Sequence, residues 1–307
     1  ALCLLAWLVP LPRPFVLGAC FALIGAFLSS TPPFQNAMAM DANRCGIPVV
    51  YGFCRGVGSV SYAAAVLLLG FVLERHAPTL LLPVFAALTA CGLLAMSGFR
   101  LPERPDEATD HPAERRSIAA VLRSHPRFAL TLLGCMFFFL THTISNTYMN
   151  ALVGKAGGTA SAVGTSLAIS AVLELPAMTL VSRLQKRFSP GFFLRFAAGA
   201  EVVKFLIFYL ARSMPLIYLG QCMQFFQFAV YAPATVYYVA AALPERDQLK
   251  GQSLIYVAGS GLGGALGNLL GGRLLDRSGI QAALLLGTVS AAASLLTFCL
   301  STREDSR

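Results

Sequence analysis

Charged residues are scarce in this sequence. Asp, Glu, Lys and Arg together make up 12% of its 307 residues, whereas soluble domains carry roughly 25%. Hydrophobic residues make up 56%, and the mean hydropathy is +0.68. Because no water-soluble fold buries so many apolar side chains, the composition excludes a soluble globular domain and predicts an all-α protein that spans a membrane.

Clusters of metal-binding or catalytic residues are also missing. The eight cysteines are scattered without a CxxC pair, so neither a disulfide framework nor a metal site is predicted. An enzyme within the membrane would need a nucleophile with a base, or a set of metal ligands, and His142 has no spaced Asp, Cys or second His to join it. We therefore expect no enzyme activity, no catalytic or metal-binding residue and no cofactor.

The net charge of +9 does not indicate a nucleic-acid-binding protein. Lys and Arg fall in short clusters between apolar runs, which is typical of membrane topology. We expect the partners to be the lipid bilayer, a small solute and protons, without nucleic acid, and we expect a monomer.

Apolar runs alternate with short polar segments along the chain. A membrane-spanning helix needs about 20 residues, so the run at 1–9 is too short; because the chain opens inside it without Met, we expect a piece of a longer protein. Runs long enough to cross lie near residues 15–38, 47–73, 78–98, 128–153, 160–182, 190–211, 214–243, 251–273 and 279–301.

The segment 99–127 is long, polar and rich in Pro and in charges of both signs. We interpret it as a cytoplasmic loop between two helical bundles. Fourteen Lys and Arg residues near the ends of the runs then fall inside and six fall outside, which predicts a cytoplasmic tail at 302–307. The expected location is a plasma membrane, the bacterial inner membrane in particular.

The two bundles carry traces of a repeat. Pairs with an offset of 201 are GS at 58–59 and 259–260, LLG at 68–70 and 269–271, and Pro32 and Pro233. We therefore expect two copies in one orientation, an incomplete bundle at 1–98 and a complete one at 128–301. The counterpart of residue 128 would lie at −73 (128 − 201), so two helices and most of a third are expected upstream.

Glu174 is the sharpest candidate for a functional residue. A charge in mid-bilayer costs roughly 2.5 kcal/mol or more and usually marks a pathway. Glu174 stands in "AVLELPAM", two residues before Pro176, which lacks the N–H of a helical hydrogen bond and bends helices. We predict that Glu174 couples protons and that Pro176 is a hinge; the alternative is a structural ion pair or a carboxylate that reaches the bilayer rim.

Lys204 lies mid-helix with Glu201 three residues before it. At this spacing the two side chains share a helix face and can neutralise each other. Alternatively, Lys204 pairs with deprotonated Glu174. Lys204 and Glu201 are assigned to proton coupling on this basis, with a local structural pair as the alternative.

Polar residues in other apolar runs are candidates for lining a substrate cavity. His142 and Asn146 lie four residues apart, and glutamines recur at steps of three; amides suit a solute that carries hydroxyl or amide groups. The alternative in each case is a structural role: a reach to the bilayer rim for the arginine, hydrogen bonding for the others. The candidates are Arg55, His142, Asn146, Gln221, Gln224 and Gln227.

Glycine at every fourth residue indicates a surface where helices pack closely. Gly263, Gly267 and Gly271 have this spacing in "GSGLGGALGNLLGG". Gly58, three residues after Arg55, is given the same packing role.

These segments together resemble the major facilitator superfamily, and within it the proton-symporter branch of lactose permease and its nucleoside and phenylpropionate relatives. "YGFCRGVGSVSY" resembles the fifth-helix motif, with Arg55 in the place of the substrate-binding arginine. "AVLELPAM" resembles the eighth-helix Glu-Pro pattern, and Lys204 stands where a ninth-helix arginine is expected. The resemblance implies the major facilitator fold, two six-helix bundles related as parallel repeats, with the first two helices and most of the third missing here.

Two further features of the resemblance bear on function. "GGRLLDRSG" is similar to the superfamily's loop motif, whose residues here are Gly272, Asp276 and Arg277. The charged tenth-helix residues of lactose permease correspond to Gln221, Gln224 and Gln227, and its fourth-helix sugar-binding glutamate corresponds to Asn36, which argues against lactose.

The resemblance implies a secondary active transporter. We expect it to move a sugar, nucleoside or aromatic acid by alternating access with proton symport. The alternative is proton-antiport efflux of lipophilic compounds or drugs.

Overall fold

The computed structural model describes residues 18–20, 22–25, 27, 46–47, 51–98, 117–185 and 187–302. The predicted run at 1–9, Asn36, and most of the predicted loop and tail lie outside these residues. The helix that contains Arg55 is described, but the side chain of Arg55 is not.

Every regular element in these residues is helical, which confirms the predicted all-α class. The α-helices are α1 (Tyr51–Leu73), α2 (Leu81–Ser97), α3 (Ile118–Ser124), α4 (Pro126–Thr147), α5 (Met149–Lys155), α6 (Ala160–Leu184), α7 (Pro190–Leu210), α8 (Met214–Cys222), α9 (Phe228–Ala242), α10 (Glu245–Tyr256), α11 (Gly264–Ser278) and α12 (Ile280–Ser301). The other elements are 3₁₀ turns at Pro78–Leu80 and Met223–Phe225 and a π-helix at Val257–Gly263.

Contacts divide the chain into two compact units. One contains Ala1–Cys54 and Val72–Asp110, and the other contains Arg55–Phe71 and His111–Arg307. The middle of α1 belongs to the second unit because it packs on α6: a Cβ on Gly164 would lie 2.5 Å from the carbonyl oxygen of Val66. The predicted bundle boundaries stay a prediction.

Length and composition indicate a multi-pass membrane protein. Five helical segments of the described residues are long and apolar enough to cross a membrane: Pro126–Thr147, Ala160–Val181, Met214–Ala242, Arg246–Ser278 and Ile280–Ser301. Helix α7 has 21 residues and carries Arg195, Glu201 and Lys204. Shorter apolar stretches occur at Val57–Leu73 and Leu81–Ser97.

Helix ends follow local sequence rules. The hydroxyls of Ser117 and Ser189 accept hydrogen bonds from the first turns of α3 and α7 at 3.2 and 3.3 Å, as N-caps do. Pro126 and Pro190 stand in first turns, where the missing N–H costs nothing. Gly279, with a φ of 76°, ends α11.

The predicted span at 128–153 is in fact two helices that break at Tyr148. The Tyr148 hydroxyl donates to the carbonyl oxygen of Asn268 at 2.5 Å, and the Thr147 hydroxyl donates to Asn268 Oδ1 at 2.9 Å. The break therefore occurs where side chains of this segment bind α11, a tertiary contact that the apolar pattern does not contain.

Three other boundaries differ from the sequence predictions. The span predicted at 251–273 begins at Glu245, after the extended backbone of Pro244, and continues through the π-helix to Ser278. The predicted loop motif therefore lies on the last turns of α11, and only Gly279 forms the turn. Part of the predicted loop at 99–127 is the helix α3, because Ser117 caps it.

Glycines allow the π-helix and α11 to lie directly against α4. A Cβ on Gly267 would come 2.6 Å from the carbonyl oxygen of Leu140, and a Cβ on Gly271 would come 2.6 Å from the ring of Tyr148. A Cβ on Gly263 would overlap the carbonyl oxygen of Met136. Helix α4 also packs extensively on α12, so it is held on two sides beside the site described next.

Candidate functional site

A cavity of about 320 Å³ lies between α1, α4, α6 and the 3₁₀ turn Met223–Phe225. Small-molecule sites range from roughly 300 to 1,000 Å³, so the cavity is at the small end. Hydroxyl, imidazole, amide and carboxylate groups dominate its wall. The lining residues are Gly58, Ser59, Tyr62, His142, Asn146, Leu167, Ser170, Ala171, Glu174 and Gln224.

Glu174 is the carboxylate of the cavity wall, and it receives hydrogen bonds from two other helical segments. Its Oε2 accepts from the Ser59 hydroxyl at 2.9 Å, and its Oε1 accepts from the Gln224 amide nitrogen at 3.1 Å. Glu174 is half-buried. The two donors offset part of the cost of holding a carboxylate away from water.

Gln224 connects Glu174 to Lys204. The Lys204 Nζ donates to Gln224 Oε1 at 2.8 Å, while the amide nitrogen of the same side chain donates to Glu174. Lys204 is 1% exposed. Its ammonium group is therefore connected to the cavity by the hydrogen bonds of the Gln224 amide. Neither pairing predicted for Lys204 is a direct hydrogen bond here: Gln224 stands between Lys204 and Glu174, and Glu201 bonds a different glutamine.

Glu201 is enclosed in the protein interior. It is 0% exposed, and its Oε1 accepts from the amide nitrogen of Gln227 at 3.0 Å. Gln227 is also 0% exposed. Glu174 and Glu201 therefore lie in different surroundings, one at the cavity wall and one in the interior.

The span predicted at 214–243 is interrupted at these glutamines. Helix α8 ends at Cys222, a 3₁₀ turn follows, and Gln227 takes φ −98° and ψ −93° before α9 begins. Side chains three residues apart eclipse each other in a 3₁₀ turn, so the turn changes how the glutamines are aligned. Hydrogen bonds to charged groups contribute about 1.5–3 kcal/mol each, which offsets the backbone bonds lost at the interruption.

His142 forms an aromatic side of the cavity. Its ring stacks on that of Phe228, with 4.4 Å between the centroids, and the amide nitrogen of Asn146 contacts its Nε2 at 3.0 Å. The other ring nitrogen, Nδ1, is buried and has no hydrogen-bond partner among the described residues.

The predicted stripe of three glutamines does not line the cavity as a set. Gln224 does so, whereas Gln221 contacts the Met149 sulfur at 3.8 Å and Gln227 bonds Glu201. The alternative of hydrogen bonding between helices therefore describes Gln227. The interruption at Met223–Phe225 is the physical reason, since it gives the three side chains different neighbours.

The packing role predicted for Gly58 stays a prediction. Among the described residues a Cβ there would meet nothing within 4 Å, and Gly58 lines the cavity. Pro176 lies within α6 as expected and is exposed.

Sequence reasoning missed Ser59, Tyr62 and Ser170 as lining residues. Ser59 and Tyr62 are three residues apart, and Ser170 is four residues before Glu174. The signal available in the sequence was the presence of polar residues about one helical turn from each other or from Glu174.

Residues 1–286 match the family described as the MFS_1 like family. The chain belongs to this family. That membership confirms the predicted resemblance to the major facilitator superfamily.

Two curated relatives match most of this MFS_1 like chain. It is 28% identical over 286 residues to the maltose permease of Geobacillus stearothermophilus, covering 92% of this chain and 71% of that protein. It is 23% identical over 297 residues to the uncharacterized transporter YwbF of Bacillus subtilis strain 168, covering 96% and 72%.

Solved structures share the fold of this MFS_1 like chain. The nucleoside transporter NupG matches with a TM-score of 0.64 and 17% identity over 98% of this chain and 79% of that one. The major facilitator transporter FucP in its outward conformation matches with a TM-score of 0.53 and 19% identity over 75% of this chain. The chain spans 59% of FucP. These likenesses confirm the predicted major facilitator fold.

Proposed function

We propose that the chain is the greater part of a secondary active transporter that moves a small polar solute by proton symport and alternating access. The observation that carries the proposal is Glu174. It is a carboxylate in an apolar helix, it faces a cavity, and a hydroxyl and an amide from two other segments bind it. An intramembrane acid in such a position is a candidate for proton coupling.

The lining of the cavity supports a hydroxyl-bearing or amide-bearing solute. Ser59, Tyr62, Asn146 and Ser170 offer neutral hydrogen-bonding groups, and His142 adds an aromatic ring to the wall. Relatives are a maltose permease and a nucleoside transporter. We therefore propose the sugar, nucleoside or aromatic acid class; Arg55 and Asn36 are proposed as further lining residues.

Proton binding at Glu174 would change the hydrogen bonding of the whole group. When ionised, Glu174 accepts from Ser59 and from Gln224, and Gln224 in turn accepts from Lys204. A proton on Glu174 removes the charge that balances Lys204 and adds a donor that can reach a solute. Occupancy by proton and by solute are then linked, as symport requires.

Pro176 would allow the helix that carries Glu174 to bend during the conformational change. It follows Glu174 by two residues on α6 and removes the hydrogen bond to the carbonyl oxygen of Val172. We propose that α6 bends there between inward-open and outward-open states. In the cell we propose a monomer in the plasma membrane, the bacterial inner membrane in particular, with its C-terminus in the cytoplasm.

Uptake into proteoliposomes tests the proposal. The full-length protein is assayed with labelled sugars, nucleosides and aromatic acids, with the outside acidified or neutral. We expect acidification to stimulate uptake of one class and Glu174→Gln to abolish the stimulation. Glu74→Gln, at an exposed carboxylate in the turn after α1, is the matched control and should behave as the wild type.

Direction separates symport from the alternative of proton-antiport efflux. Inverted vesicles loaded with a proton gradient would accumulate a lipophilic compound if the protein were an antiporter. Uptake that is indifferent both to acidification and to Glu174→Gln would contradict proton coupling at this residue.

A further inference from the structure

Glu201 and Gln227 face each other in the interior with one hydrogen bond between them. Gln227 Nε2 donates to Glu201 Oε1 at 3.0 Å. The remaining polar atom of each group, Glu201 Oε2 and Gln227 Oε1, is buried and has no hydrogen-bond partner in the described part of the chain. Both residues are 0% exposed, so water at the protein surface does not reach either group.

The two unpartnered atoms are both oxygens, and this decides the chemistry. An ionised carboxylate and an amide carbonyl only accept hydrogen bonds, so an ionised Glu201 forms one bond with Gln227 and leaves two buried acceptors without a donor. Each such acceptor costs about 1–3 kcal/mol. A protonated Glu201 has a hydroxyl, and a planar acid opposite a planar amide can form two parallel bonds, N–H to carboxyl oxygen and O–H to amide oxygen.

We infer that Glu201 is a neutral carboxylic acid that holds its proton in a paired hydrogen-bond ring with Gln227. The proton lies on Oε2 and is donated to Gln227 Oε1. The pair joins α7 to the residue that precedes α9, at the point where the predicted span at 214–243 is interrupted.

The charges around the pair agree with a neutral Glu201. Lys204 is the next titratable residue on α7, Tyr231 on α9 lies within electrostatic range of Glu201, and Cys135 from α4 lies beside Tyr231. Glu174 on α6 lies beyond Gln224. With Glu201 neutral, the charge of Lys204 is balanced by that of Glu174 through the Gln224 bridge.

An ionised Glu201 would disturb that bridge. It would place two carboxylates against one ammonium in the interior, and its position three residues from Lys204 gives it the same helix face. Lys204 would then be attracted to a second anion besides Glu174, which would weaken its bond to Gln224. The proton on Glu201 thus keeps Lys204 directed at the cavity, and the two carboxyl groups have separate tasks: Glu174 exchanges its proton and Glu201 retains one.

Infrared spectroscopy of the full-length protein in lipid tests the inference without a transport assay. The carbonyl stretch of a protonated, non-exposed carboxyl group is separate from that of a carboxylate and shifts on deuteration. We expect such a band at neutral and alkaline pH, its loss in Glu201→Gln, and its retention in Glu174→Gln as the matched control. A spectrum of Glu201→Gln that equals the wild type in this region would overturn the inference.

Two variants keep the test decisive if folding changes. Glu201→Gln places amide against amide, which still forms both hydrogen bonds, so this variant should fold; failure to fold would count against the pair. The double variant Glu201→Gln with Gln227→Glu exchanges acid and amide and should restore the band, and a double variant without the band would also contradict the pair. The pair does not depend on the proposed transport function, so loss of acid-stimulated uptake would leave it intact.

Discussion

Two regions beside α4 show opposite ways of joining membrane helices. Where the π-helix and α11 meet α4, glycines bring backbone against backbone, and the close approach leaves no room for a Cβ. Around Glu174, between α6, α1 and the 3₁₀ turn, a cavity remains, and hydrogen bonds to Glu174 connect the helices. The comparison teaches that added atoms should destabilise the glycine region. The region around the cavity should accept added atoms but should be sensitive to the loss of the groups that donate hydrogen bonds to Glu174.

The largest effect is expected from one methyl group in the glycine region. Gly267→Ala would push a Cβ against the carbonyl oxygen of Leu140, which as backbone cannot move aside. Overpacking of this kind costs about 1–3 kcal/mol and occasionally more, and we expect about 3 kcal/mol. Thermal unfolding of the full-length protein in detergent measures it.

The control for this change is Gly199→Ala on α7, where a Cβ would meet no atom of the described residues within 4 Å. It replaces the same residue type within a helix and should leave the melting temperature unchanged or slightly raised, because Ala favours helix over Gly. Equal destabilisation by both variants would show that close approach does not distinguish the two regions.

A second, smaller effect is expected from removing the amide that bridges charges at the cavity. Gln224→Leu keeps the volume but leaves Lys204 without its acceptor and Glu174 with one donor. Loss of a bond to a charged group costs about 2 kcal/mol, which corresponds to a roughly 30-fold weaker solute affinity. Solute titration by thermal shift measures it in the intact protein.

Gln221→Leu is the matched control for the bridge. Gln221 lies one turn earlier and contacts the sulfur of Met149 rather than a charge, so its replacement should change solute affinity little. If Gln221→Leu weakened binding as much as Gln224→Leu, the bridge would not be the cause.

The smallest effect is expected at Ser59. Ser59→Ala removes one of the two donors to Glu174 and costs about 1 kcal/mol, equivalent to about a fivefold lower affinity. Ser61→Ala, on the exposed side of the same helix, is the control. An unchanged affinity in Ser59→Ala would mean that Gln224 alone holds Glu174.

Some helices could be predicted closely from the sequence. The spans expected at 160–182 and 279–301 correspond to α6 (Ala160–Leu184) and α12 (Ile280–Ser301). Their ends are set by local features, such as Gly279 with its positive φ, and their middles by uninterrupted apolar composition. Local chemistry of this kind is written in the sequence itself.

The interruptions could not be predicted in the same way. Tyr148 leaves the helix because it binds Asn268, 120 residues away, and the turn at Met223–Phe225 serves partners on α6 and α7. An apolar run looks continuous across both positions. Only a contact with a distant helix can favour a break there.

The candidate site shows the same limit at the level of single residues. Glu174 stood out because a carboxylate is costly in an apolar helix, whatever its neighbours are. Gln221, Gln224 and Gln227 looked alike, yet one bridges two charges, one bonds a buried acid and one contacts a sulfur. Their differences lie in the neighbours and not in the residues.

The sequence by itself determined that this is a helical membrane protein of the major facilitator type, since apolar length, scarce charge and short motifs depend on the chain alone. The tertiary structure decided which groups meet: that Gln224 stands between Glu174 and Lys204, that Gly58 faces a cavity, and that Glu201 is sealed against Gln227. The physical reason is that transfer into lipid is a sum over single side chains, whereas a hydrogen bond requires two groups to lie about 3 Å apart, and packing of distant helices sets that distance.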